Sequence, residues 1–330
     1  MKAQVISSFG DSSVFKTIEL PKPQVKPGYV LIRVVATSVN PVDCKVRSGK
    51  YAHISPPFPA ILHSDVAGII EEVGDDVVEF AVGDEVYGCA GGFLNESGAL
   101  AEFMLADAQL IAKKPKELSM VEAAALPLVS ITAWEALFEK VKIKPGQKVL
   151  IHAGTGGVGH IAIQLAKWAG AEVYATVSSS DKGDIAKSLG AKETINYRHE
   201  SVQDYVYRWT KDVGFDVVFD TIGGENLEKS LAAVAAYGNV VSIQATSNHD
   251  ITPLHAKSAS LHAVFMLLPL LHNQQRARHG KILKEIARLV DEEHLKPLID
   301  PHLFYFENIE KAHSLLESGK AVGKIVVQAY

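Results

Sequence analysis

The run Val149-Leu150-Ile151-His152-Ala153-Gly154-Thr155-Gly156-Gly157-Val158-Gly159 carries the clearest chemical signal in the chain. A short apolar strand enters a glycine turn, and Val158, Ile161, Ala162, Leu165 and Trp168 then recur on one helical face. Gly154, Gly156 and Gly159 fill G-x-G-x-x-G in the strand–turn–helix setting that the pattern requires. Glycines there let the backbone turn tightly and approach a pyrophosphate, whose charge meets unpaired N–H groups at the helix start. An ordinary tight turn would use the same residues. The flanks favour a dinucleotide.

The second strand of such a site chooses the coenzyme. NADH sites place a carboxylate about 20 residues past the glycines, on the ribose hydroxyls. Here the sequence reads Thr176-Val177-Ser178-Ser179-Ser180-Asp181-Lys182. Serine hydroxyls and a lysine suit a 2′-phosphate dianion, so NADPH is the expected coenzyme. Asp181 falls late enough to be a helix N-cap, and the serines could also be a simple cap.

Metal use would change the reaction class. Two cysteines cannot build a four-cysteine zinc lobe. Cys44, His63 and Asp65, with Cys89, are the one candidate grouping, and their spacing matches no ligand pattern. The blander expectation is that His63 is a polar neighbour in a turn and Cys44 a small buried filler. No metal is expected.

These residues need elements to position them. Residues 1 to about 124 read as short strands and turns, with Val30, Ile32, Val34 and Ala36 alternating with Leu31, Arg33, Val35 and Thr37. Turn signals at Pro27-Gly28, Gly74-Asp75 and Gly83-Asp84 fit a partly open β-barrel. Beyond residue 125, strand-like runs at 148–153, 171–177, 193–196, 215–220, 238–243 and 262–268 alternate with helical patterns at 157–169, 181–188, 201–211 and 225–235. That alternation predicts an α/β domain at 125–268 with a doubly wound, six-stranded parallel sheet. The tail at 269–330, with helices near 280–293 and 307–318 and a strand at 322–327, is expected to complete the first domain.

Composition narrows the function classes. The 330 residues are 47% hydrophobic and 22% charged, a globular balance. A net charge of −5 argues against a nucleic-acid partner, which wants a basic face. Two cysteines and an N-terminus without an apolar core predict a cytoplasmic protein. The run Ala263–Leu271 is too short to cross a bilayer and reads as a buried strand, so no membrane is expected.

Several motifs now align with one family. Asn40-Pro41-Val42-Asp43, Arg47-Ser48-Gly49, the run Pro59 to Gly68, Gly83-Asp84-Glu85-Val86-Tyr87-Gly88, Gly98-Ala99-Leu100-Ala101-Glu102-Phe103, Ala123 to Pro127, Thr132-Ala133-Trp134, the glycine turn, Leu189-Gly190-Ala191 and Asn196-Tyr197 occur in order. Together they resemble the medium-chain dehydrogenase/reductase superfamily, and within it the zinc-free quinone oxidoreductase branch that includes the zeta-crystallins. The resemblance implies a GroES-like barrel, a Rossmann domain, a cleft between them and commonly a homodimer. It implies hydride transfer from NADPH to a small quinone or α,β-unsaturated carbonyl. Relatives that use zinc place ligands where this chain has Asn40, Ser64 and Leu128.

Carried over by position, Asn40 would lie beside the nicotinamide and Thr132 near its carboxamide or ribose. Gly154, Thr155, Gly156, Gly157, Val158 and Gly159 form the pyrophosphate turn. Ser178 and Lys182 would hold the 2′-phosphate with Tyr197 nearby, and Ser242 would line the nucleotide cleft. Phe265 to Leu267 would contact the nicotinamide end, and Lys324 would approach from the tail. The chain departs from its relatives at Lys45, at His63 (customarily glycine) and at Ile243-Gln244, which bears on the substrate pocket.

An acceptor carbonyl gains charge as hydride arrives, so a donor near that oxygen favours the transition state. Asn40 is the candidate orienting donor, and Tyr51 or Lys45 the candidate proton source; water is an alternative. Each has a plainer role open to it: a turn before Pro41, an amphipathic surface ring, a solvated charge. Phe93 could be a pocket wall or a loop anchor. Two competing readings stay open: a zinc alcohol dehydrogenase, and an NADPH-binding structural or regulatory protein with little turnover.

Overall fold

The computed structural model describes residues 1–329, which divide into two units. The second unit, Thr132–Met266 with His294–Lys296, holds a six-stranded sheet. Its strands lie in the order Glu193–Asn196, Glu172–Val177, Lys148–Ile151, Phe215–Asp220, Val234–Ser242 and Ser260–Ala263, every neighbour parallel. The first strand in sequence, Lys148–Ile151, sits in the middle, so strand order reverses between it and Phe215–Asp220. Doubly wound sheets bind ligands outside the carboxyl ends at such a reversal.

Helices Gly157–Trp168, Ser180–Ser188, Val202–Thr210 and Asn226–Ala233 connect the strands. Leu150, Tyr174, Ile195, Phe215, Val218, Leu227 and Val240 form a buried cluster on the sheet. Each such side chain contributes about 1.5–3 kcal/mol by leaving water. The helix expected at 225–235 stops at Ala233 because Val234 already begins the next strand. The expected buried strand at 263–271 is not one. The edge strand ends at Ala263, Phe265 and Leu268 are half-exposed, and Leu268–His272 is a short helix. Pro269 explains the change: it lacks the N–H that a ladder needs and opens a helix readily.

The first unit comprises Met1–Ile131, Leu267–Glu293 and the chain from Pro297 onward. Strand Tyr29–Val39 organises it, pairing antiparallel with Asp65–Val73, Phe103–Asp107 and the tail strand Ile325–Gln328. Glu85–Cys89 and Ile111–Lys113 extend this sheet, and Lys2–Ile6, Phe15–Glu19 and Ala60–Ile61 form a smaller one. Because Tyr29–Val39 is covered on both faces, Leu31 and Ile32 are both buried, and alternation fades. The boundary expected at 124 falls short, since this unit runs to Ile131. Helix Met120–Ala124 packs on Tyr29–Val39 and Asp65–Val73, and the next turns remain with it. The tail enters the unit at Leu267. Arg276, 6% exposed, ties it down through Asp107 at 2.9 Å and Glu96 at 3.0 Å.

Among the helices of this unit that bury polar side chains, two bear on the site. Pro41–Arg47, in a region expected to hold strands and turns, starts directly after Asn40 and buries Asp43 and Cys44. Ile309–Glu317 buries Ile309, Ala312 and His313 along one face, just before the tail strand.

Candidate functional site

The glycine turn comes directly after strand Lys148–Ile151. Its one left-handed residue is Ala153, at φ 50°, and the motif glycines are needed for space instead. A Cβ on Gly159 would lie 2.2 Å from the Ala153 carbonyl oxygen, and one on Gly154 would lie 2.8 Å from Ala175 Cβ. Helix Gly157–Trp168 starts from Gly156, whose lack of a side chain leaves the start uncapped. The first bond back into the helix is His160 N–H to Gly156 O. The Gly157, Val158 and Gly159 amides therefore precede the helical ladder, at the positive end of its dipole. A pyrophosphate fits both the missing side chains and the unmatched donors.

The residues expected to choose the coenzyme lie at the neighbouring strand ends. Val177 pairs with Asn196, which brings Ser178 and Tyr197 to one end of the sheet. Ser179 caps helix Ser180–Ser188 by accepting the Lys182 amide, so Asp181 is a first-turn acid and not the cap. An oxygen placed earlier in the chain reaches the amides that Asp181 cannot. Lys182 makes no ion pair among the described residues. Ser242 is already committed: its hydroxyl donates to buried Asp220 at 3.0 Å, which also accepts from the Gly223 amide and Asn226. Thr132 is buried, and Phe265 is half-exposed.

In the first unit, Asn40, Asp43, Asp65 and Lys324 meet in a site that is at most 3% exposed. The Lys324 ammonium donates to Val39 O at 3.1 Å and to Asn40 Oδ1, and lies 3.5 Å from Asp65 Oδ2. Asn40 Nδ2 donates to the same Asp65 oxygen at 2.8 Å. Cation and anion together fix the amide: oxygen toward the ammonium, nitrogen toward the carboxylate, with the Asp43 carboxyl bonded to the same side chain. Ser38 Oγ and the Leu128 amide also donate to Asp65, at 2.7 and 2.9 Å. Asp43 accepts the Asn40 amide at 2.7 Å.

Burial dominates the titration of this cluster. It pushes the Asp43 carboxyl up to about 8, with Asp65 adding repulsion. It also pulls the Lys324 ammonium down, against the attraction of Asp65 and Asp43. A neutral Asp43 takes one buried charge away from beside the Lys324–Asp65 pair. That lowers the cost of burying ionisable groups together.

Other expectations fare differently. Lys45 Nζ lies 5.1 Å over the Tyr51 ring, so these two proton-source candidates are paired with each other. Phe93 is 2% exposed, a burial that suits a loop anchor. Leu267 belongs to the first unit and is buried as a packing residue. Cys44 is more than a filler: its Sγ is 3.3 Å from His313 Nδ1. His63 lies 2.9 Å from the same ring. Among the described residues, no three Cys, His, Asp or Glu side chains form a metal-binding group. Sequence reading missed the role of Asp43 and the whole of His313. A histidine on the apolar face of Ile309–Glu317 was the available signal.

Comparison with known proteins places this geometry. Residues 26–116 match the alcohol dehydrogenase GroES-like domain, and residues 189–327 match the family described as zinc-binding dehydrogenase. The tomato 2-methylene-furan-3-one reductase is 36% identical over 99% of this chain and 79% of its own. The chain belongs to the medium-chain dehydrogenase/reductase superfamily, in its quinone oxidoreductase branch. Human quinone oxidoreductase is 31% identical, covering 99% of this chain and 97% of its own. A mycobacterial structure complexed with NADPH superposes with a TM-score of 0.88 at 29% identity, covering 99% of this chain and 100% of that one.

Proposed function

We propose that this dehydrogenase/reductase is an NADPH-dependent reductase of quinones and α,β-unsaturated carbonyls. The observation that carries the reading is the uncapped glycine turn, whose motif glycines are required by space. The similarity to a reductase of a conjugated furanone and to a quinone oxidoreductase supports the acceptor class. Gly154, Thr155, Gly156, Gly157, Val158 and Gly159 receive the pyrophosphate, and Thr132 and Phe265 are the proposed contacts toward the nicotinamide. Ser178, Lys182 and Tyr197 receive the 2′-phosphate.

The bound coenzyme supplies hydride. Asn40 supplies orientation: its amide is the proposed donor to the acceptor oxygen, whose negative charge grows during reduction. Lys324 and Asp65 hold that amide and have no donor left over, so they are positioning groups. No metal is needed. The Lys324 ammonium occupies the Asn40 oxygen and would repel a divalent cation there, which supports the metal-free reading over a zinc alcohol dehydrogenase.

The finer reading is a cytoplasmic homodimer. No helix among the described residues is long and apolar enough to cross a membrane. The edge strand Ser260–Ala263 has a partner on one side only, which leaves a row of backbone groups for a second copy. Light scattering at a dimer's mass checks it.

The deciding assay measures coenzyme oxidation against a panel of quinones and enones, with NADPH and NADH in parallel and bound zinc determined on the same sample. NADPH-preferring turnover without stoichiometric zinc is expected. Tight NADPH binding with no turnover on any acceptor would favour a structural or regulatory protein.

A further inference from the structure

Beside the charged cluster runs a second buried row of polar groups: Thr37, His63, His313 and Cys44. The first three are fully buried and Cys44 is 7% exposed. Thr37 Oγ1 lies 3.2 Å from His63 Nδ1, His63 Nε2 lies 2.9 Å from His313 Nε2, and His313 Nδ1 lies 3.3 Å from Cys44 Sγ. The Thr37 hydroxyl donates to the Asp65 backbone carbonyl, which fixes the direction of every other bond. With its hydrogen spent, Thr37 accepts from His63 Nδ1–H. His63 Nε2 is then bare and accepts from His313 Nε2–H. His313 Nδ1 is bare in turn and accepts the Cys44 thiol hydrogen. The chain ends on a backbone carbonyl, which does not carry protons onward. It is a strut, not a wire.

Two observations set it apart from a pair of satisfied core histidines. His63 has φ 72°, a conformation that glycine adopts freely and that strains an ordinary residue. The loop is also closely packed: a Cβ on Gly92 would meet the His63 backbone at 2.8 Å, and one on Gly98 would meet Leu62 O at 2.0 Å. Moreover, each segment bearing the catalytic cluster also bears one member of the strut. Thr37 precedes Ser38 and Asn40, Cys44 adjoins Asp43 on one helix, and His63 lies just before Asp65. His313 lies on the last helix before Lys324.

We propose that Thr37, His63, His313 and Cys44 form a directional hydrogen-bond strut that positions Asn40, Asp65 and Lys324 for hydride transfer. The inference rests on the reductase function proposed for the chain. Its members are positioning residues and touch no substrate.

Nitrogen-15 spectra of histidine-labelled protein test the strut without turnover. The expected result is His63 protonated only on Nδ1 and His313 only on Nε2. The opposite tautomers, or an imidazolium at neutral pH, would overturn the strut. Kinetics test the positioning role. In His63→Gly, which relieves the strained φ, NADPH affinity should stay within about twofold while kcat falls about tenfold or more, because misplacement away from the chemistry is costly. In a second pair, His313→Leu should lose kcat similarly, and His313→Gln, which keeps a donor toward His63, should recover most of it. An unchanged kcat in both His63→Gly and His313→Leu, or parallel losses of binding and kcat, would overturn the role. A wild-type protein with no NADPH-dependent turnover would remove the reductase reading and this role with it, whatever the tautomers.

Discussion

The glycine turn and the Asn40–Asp65–Lys324 cluster are built in opposite ways. The turn is made of backbone, within one short run of consecutive residues, and its selectivity comes from side chains that are absent. The cluster is made of side chains from three distant segments, with a separation of 284 positions between Asn40 and Lys324. Its two ions and one amide are buried, and each depends on the others. The turn tolerates no added atom, and the cluster tolerates no lost charge.

That contrast predicts the largest effect at the cluster. Lys324→Met leaves the Asp65 carboxylate buried without its cation, a loss of about 3–5 kcal/mol. Denaturant unfolding should show it, and Asp65→Asn in the same chain should recover much of it. Equal stability of wild type and Lys324→Met would mean that the cluster is not an interdependent charge set. At the turn, Gly159→Ala drives a Cβ onto the Ala153 carbonyl, an overpacking cost of about 1–3 kcal/mol. A penalty of that size falling on the bound turn would lower coenzyme affinity roughly 5- to 150-fold. A variant that binds NADPH normally by fluorescence titration would show that the turn has room to spare.

The same contrast explains how much of each region is legible in the residues alone. The turn and its alternating strands are legible because their signals are local: glycines at fixed spacing, periodicity switching between that of a strand and that of a helix. At the expected coenzyme end the helix start is legible but its cap is not, since Ser179 and not Asp181 caps the helix. Asn40 can be named from its motif, but nothing nearby shows that Lys324 turns its amide. Asp43 looks like a helix-start acid, and its raised pKa depends on burial against a strand and tail elsewhere in the chain. The run 263–271 misleads because hydrophobicity does not distinguish a buried strand from an exposed turn when a proline decides the backbone.

Smaller effects sharpen the comparison. Lys182→Ala should weaken NADPH binding by about tenfold, near 1.4 kcal/mol, and leave NADH nearly unchanged. Equal losses for both coenzymes would remove Lys182 from the phosphate end. The Asp43 carboxyl, near 3.8 when unfolded and about 8 when folded, makes the folded state hold an extra proton between those values. Its contribution is therefore full below about pH 4 and declines as pH rises toward 8, with a limiting slope of about 1.4 kcal/mol per unit. Asp43→Asn should flatten the stability–pH curve across that window. An identical curve would place Asp43 in water and not in the cluster.

In the proposed reaction hydride passes from the coenzyme to a conjugated acceptor. The most direct test reduces an enone with NADPH carrying deuterium at nicotinamide C4, on each face in turn, and locates the label in the product. One face should deliver deuterium to the carbon β to the carbonyl, at the rate of coenzyme oxidation. Oxidation with no deuterium on that carbon from either face, or no turnover at all, would contradict it.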